Sequence, residues 1–248
     1  MKLNANVSRL SFAVAVAALL VAPVLAAELA EPVVGLQDKP TVNLGHGNGA
    51  ANATVTNVVY DATNQAVSAA TSTTDLNAIY GDEMILAGGV GEDVSAMKFA
   101  VFCSASSAAD LVSATETIRF YDLTNAGAFI GGFSATLGAL TRGYYSIYTM
   151  TGIEAVVQIN LPSIDILATQ QLSNVVGATR MGTAVSYANA PAVGTTNNAF
   201  YMSHATAPAG WYLITGQTVS NLQYKLETTQ QAVPNESQTW GSLKAEFR

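Results

Sequence analysis

The sequence predicts an all-β protein, a sandwich or barrel of antiparallel strands. Three observations carry that expectation. Strand-like runs recur at roughly 8–15-residue spacing, the rhythm of such folds. Gly, Asn, Thr and Pro punctuate them. No stretch holds a helical period of useful length. Of the 248 residues, 50% are hydrophobic and only 11% charged, so a sizeable core can be buried.

Each run has its own warrant. Residues 55–60 are short and β-branched, and 83–87 form a second apolar run. Residues 94–104 alternate, placing Met97, Phe99, Val101 and Cys103 on one face. In 114–122, Ile118 and Phe120 point one way while Arg119 and Tyr121 point the other. Runs at 129–140, 144–150 and 154–161 continue the series, followed by 172–187, 200–203, 211–214 and 221–227. Residues 61–78, rich in Ala, Thr and Ser, are ambiguous and admit a short helix. Alternation assigns Phe99, Val101, Ile118, Phe120, Val157, Ile159 and Trp211 to the core. No internal repeat of fixed period is found.

The amino terminus reads as a leader. Lys2 and Arg9 precede an apolar run at 10–21, and Val24 and Ala26 supply small residues at the −3 and −1 positions of a cleavage site. The run is too short to span a bilayer. The expected organisation is a signal peptide at 1–27, a flexible acidic segment at 28–53, a β-sandwich at 54–229 and a polar tail at 230–248. The tail ends amphipathically, with Trp240, Leu243 and Phe247 at i, i+3 and i+7. Export with a secreted or cell-surface destination follows as an expectation, with no membrane span in the mature chain.

Charge narrows the partners. Lys2 and Arg9 leave with the leader, so 8 of the 10 basic residues remain against all 17 acidic ones, a balance of −9. That repels phosphate backbones and argues against nucleic acid. Cys103 is the only cysteine, so no intramolecular disulfide forms. Its place in the alternating run makes it a buried small hydrophobe.

Several segments together resemble a domain of secreted bacterial proteins, found in planctomycete-type proteins and in exported proteins with exosortase-sorted, PEP-CTERM-like tails. Tyr80-Gly81-Asp82-Glu83-Met84-Ile85-Leu86-Ala87-Gly88-Gly89 followed by Val94-Ser95-Ala96-Met97-Lys98-Phe99 is similar to that group's opening. Ile118-Arg119-Phe120-Tyr121-Asp122 and Ile159-Asn160-Leu161-Pro162 resemble two of its strands. Val193-Gly194-Thr195-Thr196-Asn197-Asn198-Ala199-Phe200-Tyr201, then Gly210-Trp211-Tyr212 and Asn221-Leu222, resemble its close. The resemblance implies an extracellular antiparallel β-sandwich of lectin-like, jelly-roll type, and carries no catalytic motif. The chain departs from the group in lacking the hydrophobic span and Arg cluster of a sorting tail.

Candidate chemistry is sparse. Tyr145, Tyr201 and Tyr212 are the expected outward aromatics, able to stack on sugar faces, while Phe200 and Trp211 suit the core. Asp82, Glu83, Glu92 and Asp93 are the acidic loop residues from which a calcium site would be drawn, the last two beside the turn Gly88-Gly89-Val90-Gly91. A Gly-rich hairpin turn with solvated acids is the plainer reading of that turn. Glu116 and Glu154 are the isolated acids a glycoside hydrolase would need, with outward strand positions as the plainer reading. Two His, His46 and His204, and one Cys show no zinc spacing, and no Gly-x-Ser-x-Gly elbow is present. The favoured reading is a non-enzymatic exported protein with a structural or cell-surface role and no cofactor. The alternative is a carbohydrate-binding module that binds an extracellular glycan, with a structural calcium.

Mass spectrometry of the exported protein should find a chain beginning at Ala27 or Glu28. Recovery of the full-length chain in the cytoplasm alone would refute the leader.

Overall fold

A computed structural model describes residues 35–44, 56–63, 67–72, 76–104, 112–186, 190–205, 207–214 and 216–230. The segment expected to be a leader, 1–27, His46 and the tail residues Trp240, Leu243 and Phe247 lie outside them. The described residues form strands and two 3-10 turns, and among them no helix is long and apolar enough to cross a membrane. In chain order the strands are β1 (Gly35–Asp38), β2 (Val42–Asn43), β3 (Thr56–Asp61), β4 (Val67–Ser72), β5 (Ile79–Ile85), β6 (Asp93–Ser104), β7 (Val112–Asp122) and β8 (Ala128–Leu140). There follow β9 (Tyr144–Thr151), β10 (Asp165–Val176), β11 (Arg180–Ser186), β12 (Phe200–His204), β13 (Ala207–Tyr212), β14 (Asn221–Leu222) and β15 (Lys225–Thr229).

Two sheets divide these strands. The six-stranded sheet runs β13-β12-β5-β10-β7-β8, antiparallel throughout. The nine-stranded sheet is built on β6. One edge of β6 pairs with β9, and the other is shared by β15 and β11. Beyond that broken row lies a second one, β3 against β15 and β4 against β11. On the far side β1 and β2 pair parallel to β9. From β4 to β12 the chain changes sheet at every connection except β7–β8, so the two apolar faces are made together and cover one another.

Alternation explains the core. On β7 every second residue from Val112 to Asp122 is buried. Phe99, Val101, Ile118, Phe120 and Ile159 are completely buried and belong to one cluster drawn from both sheets. Trp211 departs from expectation, being 42% exposed. Its register partner is Tyr201, whereas Tyr212 pairs with the buried Phe200. Directly opposed residues share a face, so Tyr212 turns inward and Trp211 outward. Val157 is only partly buried, packed at the margin of the core. The strand expected at 154–161 is instead a 3-10 turn, Ile153–Ala155, entered through Gly152 in left-handed conformation.

Three other expectations change. Part of the segment expected to be flexible, 28–53, supplies β1 and β2, because the edge of β9 offers free backbone groups to pair with. The ambiguous 61–78 region carries β4 rather than a helix, in keeping with its Thr and Val content. The Gly-rich turn at 88–93 is no hairpin: it carries the chain from β5 in one sheet to β6 in the other.

One crossing needs glycine. Residues 193–195 bridge to Asp61 of β3 and to Ile85 of β5, and so touch both sheets. Gly194 sits there at φ 76°, and a Cβ would lie 2.6 Å from the Ile85 carbonyl oxygen. Any side chain therefore meets both strain and a backbone clash.

Phe120→Asp should unfold the sandwich, since an unpaired charge in a sealed core costs more than about 4 kcal/mol, against a typical total of ~5–15 kcal/mol. Loss of the β-type circular dichroism signal at 25 °C checks this. A folded Phe120→Asp variant with an unchanged melting curve would contradict the core assignment.

Candidate functional site

Three rows of side chains cross the outer face of the six-stranded sheet. The register of the strands defines them. The first reads Trp211, Tyr201, Gly81, Thr169, Arg119, Gly132 across all six strands. Beside it runs Ser203, Ile79, Gln171, Thr117, Ser134. On the other side lie Glu83, Leu167, Tyr121 and Phe129.

Aromatic pairs mark both ends of this face. Tyr201 and Trp211 meet edge to face, with ring centroids 5.8 Å apart at 74°. Tyr121 and Phe129 repeat the arrangement at 5.7 Å and 61°. Trp211 and Phe129 remain exposed, Phe129 by 62%. Between the pairs the row falls away at Gly81 and Thr169. Gly81 contributes no side chain, and a Cβ there would meet the Ala168 carbonyl oxygen at 2.9 Å. Thr169 is buried. The centre of the face is thus low and polar, and its rims are aromatic.

Arg119 is the cation of the face. Its Nη1 donates to Gln171 Oε1 at 3.0 Å, and Gln171 Nε2 donates on to the Asn77 carbonyl at 3.2 Å. Gly132 opposite leaves room for the arginine stem, since a Cβ there would lie 3.2 Å from Arg119 Cγ. Glu83 lies in the neighbouring row with Asn197 Nδ2 donating to it. Burial, and then the nearby Asp165, raise the Glu83 carboxyl above its ordinary range.

The three expected tyrosines are not assembled into one platform. Tyr201 belongs to the face just described. Tyr212 points inward, its ring 6.3 Å from that of Phe200. Tyr145 lies on the outer side of the other sheet, yet it is buried there against Phe102, with rings 5.5 Å apart. Sequence reasoning missed Trp211, Tyr121, Phe129 and Gln171. For Arg119 and Tyr121 the signal was present, because alternation in 114–122 already turned both outward.

The acidic residues also part company. Asp82 and Glu83 are neighbours on β5 and so face opposite sides of the sheet. Asp82 is completely buried and accepts from Tyr60 Oη at 3.0 Å, from the Leu222 amide at 3.1 Å and from Thr196 Oγ1 at 3.4 Å. Glu92 accepts from Thr228 Oγ1 at 2.6 Å and from Asn57 Nδ2 at 3.3 Å. Asp93 is buried and receives a 3.4 Å contact from Asn160 Nδ2. Among the described residues no three His, Cys, Asp or Glu side chains gather to hold an ion.

Glu116 is not on an outward position. It shares the inner face of β7 with Ile118 and Phe120 and is 1% exposed. Neither carboxyl oxygen has a hydrogen bond of ordinary geometry. Burial therefore raises its carboxyl well above the usual range, with the Gln171 backbone only tempering the rise. Glu154 sits in the turn after β9, Ile153–Ala155, not on a strand. Cys103 is fully buried and its thiol is pushed up to about 11 by that burial, the opposite of an activated nucleophile. A groove of 270 Å³ on the nine-stranded sheet is lined by Asp61, Thr63, Lys98, Thr149, Lys225 and Glu227, among others. Its lysines are already paired, Lys225 with Glu227 at 2.7 Å and Lys98 with Asp38 at 3.8 Å.

No protein-family model, characterised protein or solved structure matches this chain.

Glu116→Gln should stabilise the protein at pH 7–8. Burial makes the folded state hold the Glu116 proton to higher pH than the unfolded chain does, so the stability from this group is full below the ordinary carboxyl value and is lost as pH rises above it. The variant abolishes this loss. Its melting temperature should exceed that of the parent by several degrees at pH 8, and the two should converge near pH 4. Parallel melting curves across that range would contradict it.

Proposed function

We propose that the chain is a non-enzymatic, exported glycan-binding protein that uses the outer face of its six-stranded sheet. The observation that carries this reading is the paired aromatic rim around a polar centre. Aromatic rings offer the C–H faces of sugars a flat apolar surface, while amide and guanidinium groups satisfy their hydroxyls. Singly exposed apolar residues are ordinary. Here two edge-to-face pairs share one sheet face, each with one exposed ring, Trp211 or Phe129, and one half-buried tyrosine, and hydrogen-bonding side chains lie between them.

A jelly-roll fold is part of the proposal. Strand order supports it: β4-β11-β6-β9 in one sheet and β5-β10-β7-β8 in the other, all antiparallel, with the chain alternating between them. On that plan β12 and β13 are an addition beside β5. They bring Tyr201 and Trp211 to the face. Kinship with the secreted bacterial domains named above is consistent with the same plan and remains part of the proposal, as does export.

A panel of bacterial and plant polysaccharides should include at least one that binds the purified protein. Trp211→Ala and Tyr201→Ala should each weaken that binding by about 1–3 kcal/mol, as truncation of an aromatic anchor does. Tyr145→Phe, on the other sheet, should leave it unchanged. A blank panel would defeat this reading and favour a structural surface role without a small ligand.

A further inference from the structure

We infer that the glycan taken by this face is acidic, a polysaccharide bearing uronic-acid carboxylates, and that Arg119 selects it. The inference rests on the glycan-binding reading just given. Four observations carry it. Arg119 is a permanent cation. Among the described residues the guanidinium's one hydrogen bond is to the neutral Gln171, and no carboxylate lies within ion-pair distance of it. This happens in a chain of net charge −7, where acids outnumber bases by 17 to 10. The guanidinium is also held in place, because Gln171 that orients it is itself anchored on the Asn77 carbonyl.

A structural role for Arg119 is a poor account of this arrangement. Lys225 and Lys98 of the nine-stranded sheet are paired with Glu227 and Asp38, as expected where a charge merely keeps a sheet soluble. Arg119 instead spends one donor on being positioned and keeps the others for a partner. A planar fork of N–H donors matches a planar carboxylate. Arg119 shares a row with Tyr201, three strands away, or about 14 Å at the usual strand spacing. A short run of saccharides can therefore lie along that row, one ring on Tyr201 and Trp211 and a uronate carboxylate on Arg119. Glu83 and Asp165 do not cancel the site. Glu83 lies in the adjacent row but two strands from Arg119 and is engaged with Asn197, and Asp165 lies one row further away, opposite Ile85. The net negative charge of the chain opposes an acidic polymer at long range, but screening over about 8 Å at physiological salt confines that opposition.

Isothermal titration at physiological ionic strength tests the inference with three probes. They are an oligogalacturonate, the same oligomer fully methyl-esterified, and a neutral cello-oligosaccharide. The acid should bind about tenfold more tightly than its ester, a modest coupling for one desolvated ion pair. Arg119→Gln should bring the acid-to-ester ratio to about one, and Arg119→Lys should restore it only in part, because the fork is lost while the charge remains. Melting curves for both variants establish that they fold. An ester bound as tightly as the acid, or an Arg119→Gln variant that keeps the preference, would overturn the inference and leave glycan binding standing. If oligogalacturonate fails to bind while the wider panel yields a neutral ligand, the inference alone falls. A blank panel removes both.

Discussion

A carboxyl group sealed in the core ties this sandwich together. Asp82 is on β5 of the six-stranded sheet, yet its hydrogen-bond donors come from elsewhere: Tyr60 on β3, the Leu222 amide of β14 and Thr196 of the crossing segment. Hydrophobic contact holds two sheets together without fixing how they are aligned. Directional bonds to one buried acceptor do fix it, because a slip of either sheet would strand the donors in an apolar interior at about 1–3 kcal/mol each. Burial raises the Asp82 carboxyl well above its usual range, and those same donors pull against the rise. The crossing at Gly194 and the short β14 make sense as parts of the same clip, since both deliver donors to one point.

The two outer faces serve different ends. That of the nine-stranded sheet is closed: Phe102, Tyr145, Ala100 and Ala184 form a buried apolar patch, and beyond it charges pair with one another. That of the six-stranded sheet keeps aromatic rings and a cation open to solvent. The division follows from topology. The chain's late strands split between the sheets, with β12 and β13 widening one and β14 and β15 filling the gap beside β6 in the other. The widening sets the Tyr201–Trp211 pair at the opposite end of that face from Tyr121–Phe129.

Much of the architecture was legible in the residues. Strict alternation in β6 and β7 identified Phe99, Val101, Ile118 and Phe120 as core, and also turned Arg119 and Tyr121 outward. Legibility failed where parity was ambiguous. Trp211 and Tyr212 are adjacent aromatics, and which one faces in depends on pairing with β12, which no local pattern specifies. Glu116 was misjudged for a different reason. A charged residue on a strand is normally solvated, and that expectation overrode the alternation, which places Glu116 on the same face as Ile118 and Phe120, where the facing sheet covers it. The candidate face itself was invisible, because its rows join residues as distant as Arg119, Thr169 and Tyr201. Register, not sequence neighbourhood, brings them together.

The pairing of β3 with β15 has a kinetic meaning. It joins Thr56–Asp61 to Lys225–Thr229, so the nine-stranded sheet cannot close until almost all of the described chain is present. Such long loops are slow to form, and proteins dominated by them fold late and slowly. The β7–β8 and β7–β10 pairings are far more local and are free to form first. A growing or threading chain would accordingly carry a half-built sheet whose apolar face waits for its cover. The last strand to arrive is the one that removes the incentive to aggregate.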